Sequence, residues 1–81
     1  MPYIKKEKRK PLLLGTTPTN AGELNFIITT KLLDYVKNKG ESYQTYNDII
    51  GVLGAISHEF YRRQIVGYED DKVEENGDVF I

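Results

Sequence analysis

The amino-acid sequence predicts a mainly α-helical protein: an antiparallel two-helix hairpin with a short N-terminal segment and a C-terminal turn or short strand. Apolar residues recur at helical spacing in two long stretches, and each stretch begins beside a capping residue. The connection between them is short, which makes consecutive helices antiparallel neighbours. These 81 residues therefore make a single domain.

Residues 1–19 are predicted to be an arm and a loop. Lys5, Lys6, Lys8, Arg9 and Lys10 form a basic run, which suits either a phosphate-binding arm or a solvated terminus. We favour the solvated terminus, because the rest of the chain offers no second basic surface. The loop that follows, residues 11–20, carries an apolar plug of three leucines that is expected to cap the core.

The first helix is predicted over residues 20–39. Asn20 and Glu23 have the spacing of a capping box, and Gly40 is a natural stop. The residues that follow the helical period are Leu24, Ile27, Ile28, Leu32, Tyr35 and Val36.

The second helix is predicted over residues 45–66 and is the best specified stretch in the chain. Thr45 and Asp48 resemble a capping box, and Gly67 follows the last apolar residue. Its predicted core stripe consists of Ile49, Leu53, Ile56 and Phe60.

Residues 67–81 form an acidic C-terminal segment with two open interpretations. It is either a short helical turn stopped by Gly77 or a hairpin that turns at Asn76-Gly77, with Asp78–Ile81 as its second strand. In both cases Val79 and Phe80 are expected to form a terminal strand, with Tyr3-Ile4 as the pairing candidate.

Composition excludes several classes of protein. No apolar run approaches the roughly 18 residues of a membrane span, so we expect a soluble, cytoplasmic protein. The net charge of −1 disfavours general nucleic-acid binding. Residues 1–40 carry eight basic and three acidic residues, whereas residues 41–81 carry three basic and nine acidic ones. Such halves can attract each other within one chain or between subunits, and a small chain without cysteine often needs a partner subunit.

No residue set specifies a reaction, so we expect no enzyme, no cofactor and no metal. His58 is the single histidine, and a catalytic role would need an acid or a nucleophile from another element. The acidic residues from Glu69 to Asp78 lack the order of a calcium loop, because the chain ends four residues after Gly77. A solvated acidic segment is the simpler interpretation.

The side of the second helix opposite the core stripe is unusually small. Gly51, Gly54 and Ala55 lie there, and a helical glycine costs roughly 0.5–1 kcal/mol against alanine. We therefore predict that these three residues lie at an interface with a second subunit.

The residues around this small face suit an anionic ligand that contains a ring. Arg62 and Arg63 can bind phosphate, and Tyr46 and Tyr61 can stack on a base. Asn47 can read the edge of that base, and His58 lies on the same side. The alternative for the tyrosines is core packing with a hydroxyl at the surface.

Seven short segments spread over most of the chain form a recognisable set. They are Pro2-Tyr3-Ile4-Lys5-Lys6, Gly22-Glu23-Leu24-Asn25-Phe26, Tyr46-Asn47, Ile50-Gly51-Val52-Leu53, Glu59-Phe60-Tyr61-Arg62-Arg63, Tyr68-Glu69-Asp70 and Glu75-Asn76-Gly77-Asp78-Val79. With these segments the chain resembles a family of small uncharacterised proteins found among phages and mobile elements. The resemblance implies no assigned activity.

In architecture, the chain is similar in outline to small phage proteins that oligomerise and sequester the nucleotide signals of bacterial immunity. We therefore expect a non-enzymatic homo-oligomer that takes up a nucleotide-type ligand at a subunit interface, in the host-cell cytoplasm if a phage encodes it. The alternative is a protein–protein interaction module that inhibits or assists a host protein.

Overall fold

Helices make up most of the computed structural model, which describes residues 1–80. They are α1 (Lys6–Leu13), α2 (Ala21–Lys39), α3 (Tyr43–Phe60), a π-helical turn (Tyr61–Ile65) and α4 (Val66–Asn76). Because α3, the π turn and α4 follow one another directly, there are three helical stretches within residues 1–80. The chain divides into an N-terminal unit, Met1–Tyr46, and a C-terminal unit, Asn47–Ile81.

The N-terminal unit contains the buried apolar residues of the described chain. Leu12 on α1 and Phe26 on α2 are both buried. The Arg9 guanidinium lies 5.9 Å from the centre of the Phe26 ring and also donates to the Ile4 carbonyl oxygen from Nη2 at 3.2 Å. The basic run thus forms part of a helix and places the Arg9 cation over the core aromatic ring, while its lysines are exposed to solvent as predicted. Residues 6–13 are helical, which differs from the arm and loop predicted for residues 1–19.

A capping arrangement fixes the start of α2. The Asn20 side-chain oxygen accepts a hydrogen bond from the Glu23 N–H at 2.9 Å. The Glu23 carboxylate accepts from the Thr19 N–H at 3.0 Å and from its hydroxyl at 3.1 Å, so it reaches one residue further back than a standard capping box. The hydrogen bond from the Thr19 N–H lowers the pKa of Glu23 below its ordinary value of 4.5.

The turn between α2 and α3 is held by hydroxyl groups. Gly40 ends α2 with a φ of 91°, a left-handed conformation that favours glycine. The buried Thr45 donates from its hydroxyl to the Gly40 carbonyl oxygen at 2.8 Å. The Ser42 hydroxyl accepts from the Thr45 N–H at 3.1 Å and caps α3.

The predicted end of the second helix at Gly67 is wrong. The chain remains helical through Gly67 as far as Asn76, and Gly77, with a φ of 89°, is the stop. A glycine inside a helix costs only about 1 kcal/mol, and the residues after Gly67 can continue the helix. Lys72 supports this continuation, because its ammonium group lies 3.0 Å from the Glu75 carboxylate and 5.5 Å from the centre of the Tyr68 ring.

The predicted C-terminal strand is also wrong, since residues 1–80 contain no strand. Val79 and Phe80 are almost fully exposed, and the Phe80 N–H donates to the Asp78 carboxylate at 2.8 Å in a local turn. Two short strands alone would be marginal in water, which agrees with this outcome. Ile81, the last residue of the predicted strand, lies outside the described residues.

The predicted two-helix hairpin is wrong, because the side chains predicted to form its core are not buried. Ile56 and Phe60, two of the four predicted core residues on the second helix, are 57% and 59% exposed. Ile49 and Leu53 are half-buried, and no residue in 47–80 is buried. The helical class is right, but the hairpin that was expected to enclose these four side chains is not present.

Candidate interaction surface

The C-terminal unit carries a stripe of large apolar side chains along α3. We call the four residues Ile49, Leu53, Ile56 and Phe60 the apolar stripe. At about 100° per residue they fall within roughly 60° of arc, so they share one face of the helix. Ile56 and Phe60 are exposed and Ile49 and Leu53 are half-buried, and an apolar row that its own chain covers only in part is typical of an interaction surface.

The two arginines of the predicted ligand site lie side by side in the π turn. Both are paired with one carboxylate: Arg62 Nη2 lies 2.7 Å from Glu59 Oε1, and Arg63 Nη1 lies 3.5 Å from the same oxygen. Their side chains are 67% and 68% exposed, so each remains accessible to a ligand. Glu59 therefore competes with any phosphate that these arginines would bind.

The two tyrosines of the predicted site also have carboxylate partners. The Tyr61 hydroxyl donates to Glu69 Oε1 at 3.1 Å, and the Tyr46 hydroxyl donates to the Glu41 carboxylate. Each of these hydrogen bonds raises the pKa of its tyrosine, because the neutral hydroxyl is the donor. Their rings nevertheless remain exposed at the surface.

The six predicted ligand-binding residues lie on α3 and in the π turn. Tyr46, Asn47 and His58 are exposed on α3, and Tyr61, Arg62 and Arg63 are neighbours in the π turn. Glu59 lies beside the two arginines, and Glu69 lies beside Tyr61. His58 precedes Tyr61 and Arg62 by three and four residues, so it lies one helical turn before them.

The small-residue face predicted at Gly51, Gly54 and Ala55 is open. A Cβ atom added at Gly51 or Gly54 would meet no atom within 4 Å, and all three residues are exposed. Within residues 1–80, no atom therefore occupies the space that Gly51 and Gly54 leave beside the helix. The subunit contact proposed for them remains a prediction.

The acidic residues of α4 lie at the surface. Asp71, Glu74 and Glu75 line an open groove. Among residues 1–80, no group of three or more His, Asp or Glu side chains is arranged to hold a metal ion. No helix in the same range is both long and apolar enough to cross a membrane.

Comparison with known families matches residues 1–79 to the model of a family described as Domain of unknown function (DUF6899). This chain belongs to that family. Neither the curated proteins nor the solved structures yielded a match. Membership therefore assigns the chain to a domain family whose function is not known.

Three features of this family member were not predicted from its sequence. The pairing of Glu59 with Arg62 and Arg63 follows the ordinary i,i+3 and i,i+4 spacing and could have been predicted. The π turn has no comparable signal in the sequence, because it depends on where the helix absorbs an additional residue. The Tyr61–Glu69 hydrogen bond joins residues eight apart, beyond the usual spacing rules.

Proposed function

We propose that this protein is a non-enzymatic binding protein that works as an oligomer of identical copies. The observation that carries this proposal is the exposed apolar stripe on α3. A second copy that covers the stripe would remove these side chains from water. The chain is then a subunit whose core is completed by assembly.

The small amount of buried apolar surface supports the need for a partner. Leu12 and Phe26 are the buried hydrophobic residues within residues 1–80. Ordering each residue of a chain costs roughly 1–2 kcal/mol of backbone entropy, and burial of apolar surface is the main term that offsets it. Two buried side chains offset little of this cost, so further burial between subunits would stabilise the fold.

The size of the stripe is adequate for association. Burying one large apolar side chain contributes roughly 1.5–3 kcal/mol, and about half of that if it is already half-covered. The combined stabilisation from four such side chains on each of two copies is as large as the lower part of the estimated association cost of about 4–15 kcal/mol. Neighbouring exposed residues such as Tyr61, Ile65 and Tyr68 add to the area available.

Charge supports a second copy as the partner. The N-terminal unit carries eight basic and four acidic residues, whereas residues 47–80 carry three basic and eight acidic residues. Parts of opposite charge on identical chains attract one another, which favours self-association over an isolated copy.

The proposal includes a nucleotide-type ligand held near the π turn of an assembled oligomer. It is supported by the exposed guanidinium groups of Arg62 and Arg63 and by the exposed ring of Tyr61 beside them. Residues from a second subunit would complete the site. A phage or mobile-element origin, and with it a location in the host-cell cytoplasm, is part of the same proposal and rests on the sequence resemblance.

A host protein is the second candidate partner. The same exposed stripe supports it, since an apolar helix face can fit into the groove of an unrelated protein. In that case, the purified chain would not associate with itself through the stripe.

Neighbouring substitutions on α3 test the proposed interface. Ile56→Asp places a carboxylate in the stripe, and Ala55→Asp places the same group about 100° round the helix. We expect Ile56→Asp to weaken self-association at least about a hundredfold, because a charge would be buried without a partner. If the stripe is the interface, Ala55→Asp changes self-association little; if the small-residue face that the sequence predicts is the interface instead, Ala55→Asp causes the loss. Sedimentation equilibrium would measure both variants.

The same two variants also provide the control and the results that would contradict the proposed interface. Equal loss in both variants would indicate general damage to the helix, which circular dichroism would detect. Loss in Ala55→Asp alone would move the interface to the small-residue face and contradict the stripe. A chain that is a monomer before any substitution would contradict self-assembly and favour a host protein.

Thermal melts with mono-, di- and cyclic nucleotides test the ligand. Stabilisation should grow with ligand concentration and disappear in Arg62→Ala and Arg63→Ala. No shift across the panel, with both variants folded, would exclude the nucleotide-type ligand.

A further inference from the structure

The π turn changes which residues share a face with the apolar stripe. In an uninterrupted α-helix, Ile65 would lie about 140° away from Phe60, five residues earlier. The turn instead contains an i→i+5 hydrogen bond from the Val66 N–H to the Tyr61 carbonyl oxygen. Wider hydrogen-bonded turns rotate less per residue, so Ile65 comes round toward the side on which Phe60 lies.

The apolar side chains continue past the turn. Ile65 is 37% exposed, and Tyr68, three residues later on α4, is largely exposed. Residues three apart on a helix lie on one side, so Tyr68 follows Ile65. If the same residues formed an uninterrupted α-helix, the apolar face of α3 and that of α4 would be separated around the helix.

We infer that the π turn extends the apolar stripe into α4, and that a second copy covers Phe60, Ile65 and Tyr68 as one continuous surface. This inference rests on the proposed self-assembly and defines the length of its interface. From Ile49 to Phe60 the stripe is about 17 Å long at 1.5 Å per residue, and continuing to Tyr68 makes it about 28 Å.

Contacts on both sides of the turn hold its geometry. Glu59, the penultimate residue of α3, pairs with Arg62 and Arg63 inside the turn. Tyr61, the first residue of the turn, donates to Glu69 on α4. The side chains before and after the additional residue are thereby linked, which favours one position for the π turn.

Deleting Gln64 and inserting one residue after it test the inference, because the inference predicts opposite effects of the two changes on self-assembly. A chain that lacks Gln64 can form an uninterrupted α-helix in which Ile65 follows Phe60 by four residues, still on the stripe. An alanine inserted after Gln64 separates them by six residues and turns the α4 face away by about 100°. Sedimentation equilibrium of both chains, and of a control with alanine inserted after Gly77, measures the effect.

We expect the deletion to assemble within about threefold of the unchanged chain, and the insertion to weaken assembly at least about tenfold. The Gly77 insertion should have no effect. Equal assembly by the deletion and insertion chains, or loss in the deletion alone, would overturn the inference while leaving self-assembly intact. If both lose helix content in circular dichroism, Ile65→Ser against Gln64→Ser decides, with loss of assembly expected for Ile65→Ser alone. A monomeric unchanged chain would refute the proposed function and this inference together.

Discussion

The N-terminal and C-terminal units place their apolar residues in opposite ways. In the N-terminal unit, α1 and α2 bury Leu12 and Phe26, and Arg9 lies over the Phe26 ring. In residues 47–80, one long helical stretch exposes Ile56 and Phe60, and no side chain is buried. The first unit therefore buries part of its apolar surface locally, although Leu13, Leu14 and Leu33 stay exposed, whereas no side chain of residues 47–80 is buried.

Replacing one phenylalanine by alanine in each unit should give the largest difference between the two units in stability and assembly. Phe26→Ala removes a buried ring and should lower the free energy of unfolding by about 3–5 kcal/mol, enough to unfold a small domain. Phe60→Ala should leave an isolated copy almost unchanged, because its ring is already exposed, while it weakens assembly. Chemical denaturation at low and high protein concentration measures both effects. A similar concentration-independent loss in both variants would contradict the distinction between the units.

The turn that begins α3 should have an intermediate effect. Thr45→Val keeps the shape of the side chain but removes the hydroxyl that donates to the Gly40 carbonyl oxygen. Loss of a buried hydrogen bond is expected to cost about 1–2 kcal/mol. Urea denaturation measures it, with Thr29→Val on α2 as a more exposed control. An unchanged midpoint for Thr45→Val would show that this hydrogen bond does not stabilise the turn.

The smallest effect should be the pH dependence of the α2 cap. The pKa of Glu23 is lowered in the folded protein, so its contribution to stability is present above the unfolded pKa. It is lost as the pH falls through the folded pKa. The difference in melting temperature between the unchanged chain and Glu23→Gln should therefore shrink between about pH 6 and pH 2. A difference that stays constant over this range would contradict the cap as the cause.

Sequence signals that act over a few residues predicted the helix ends better than the sequence predicted how the helices pack. Asn20 caps α2 and Gly40 follows it, because capping and helix termination depend on residues a few positions apart. The same logic failed at Gly67, where a helix that can continue tolerates an internal glycine. It also missed α1, whose eight residues include Pro11 and a basic run that resembles a solvated arm.

The candidate surface was recognised as a pattern but given the wrong role. The spacing of Ile49, Leu53, Ile56 and Phe60 predicts one apolar face on a helix, and that face exists. Periodicity cannot distinguish a face that packs within its own chain from one that packs on another chain. The difference depends on tertiary contacts, and the exposure of Ile56 and Phe60 now favours a partner.

The mass of the unmodified protein as a function of concentration tests the central claim most directly. If the apolar stripe is covered by a second copy, sedimentation equilibrium should give a multiple of the 9.3 kDa chain mass that falls on dilution and on Ile56→Asp substitution. A mass of one chain up to about 1 mM would limit the association free energy to about −4 kcal/mol or weaker. That result would contradict self-assembly through the stripe.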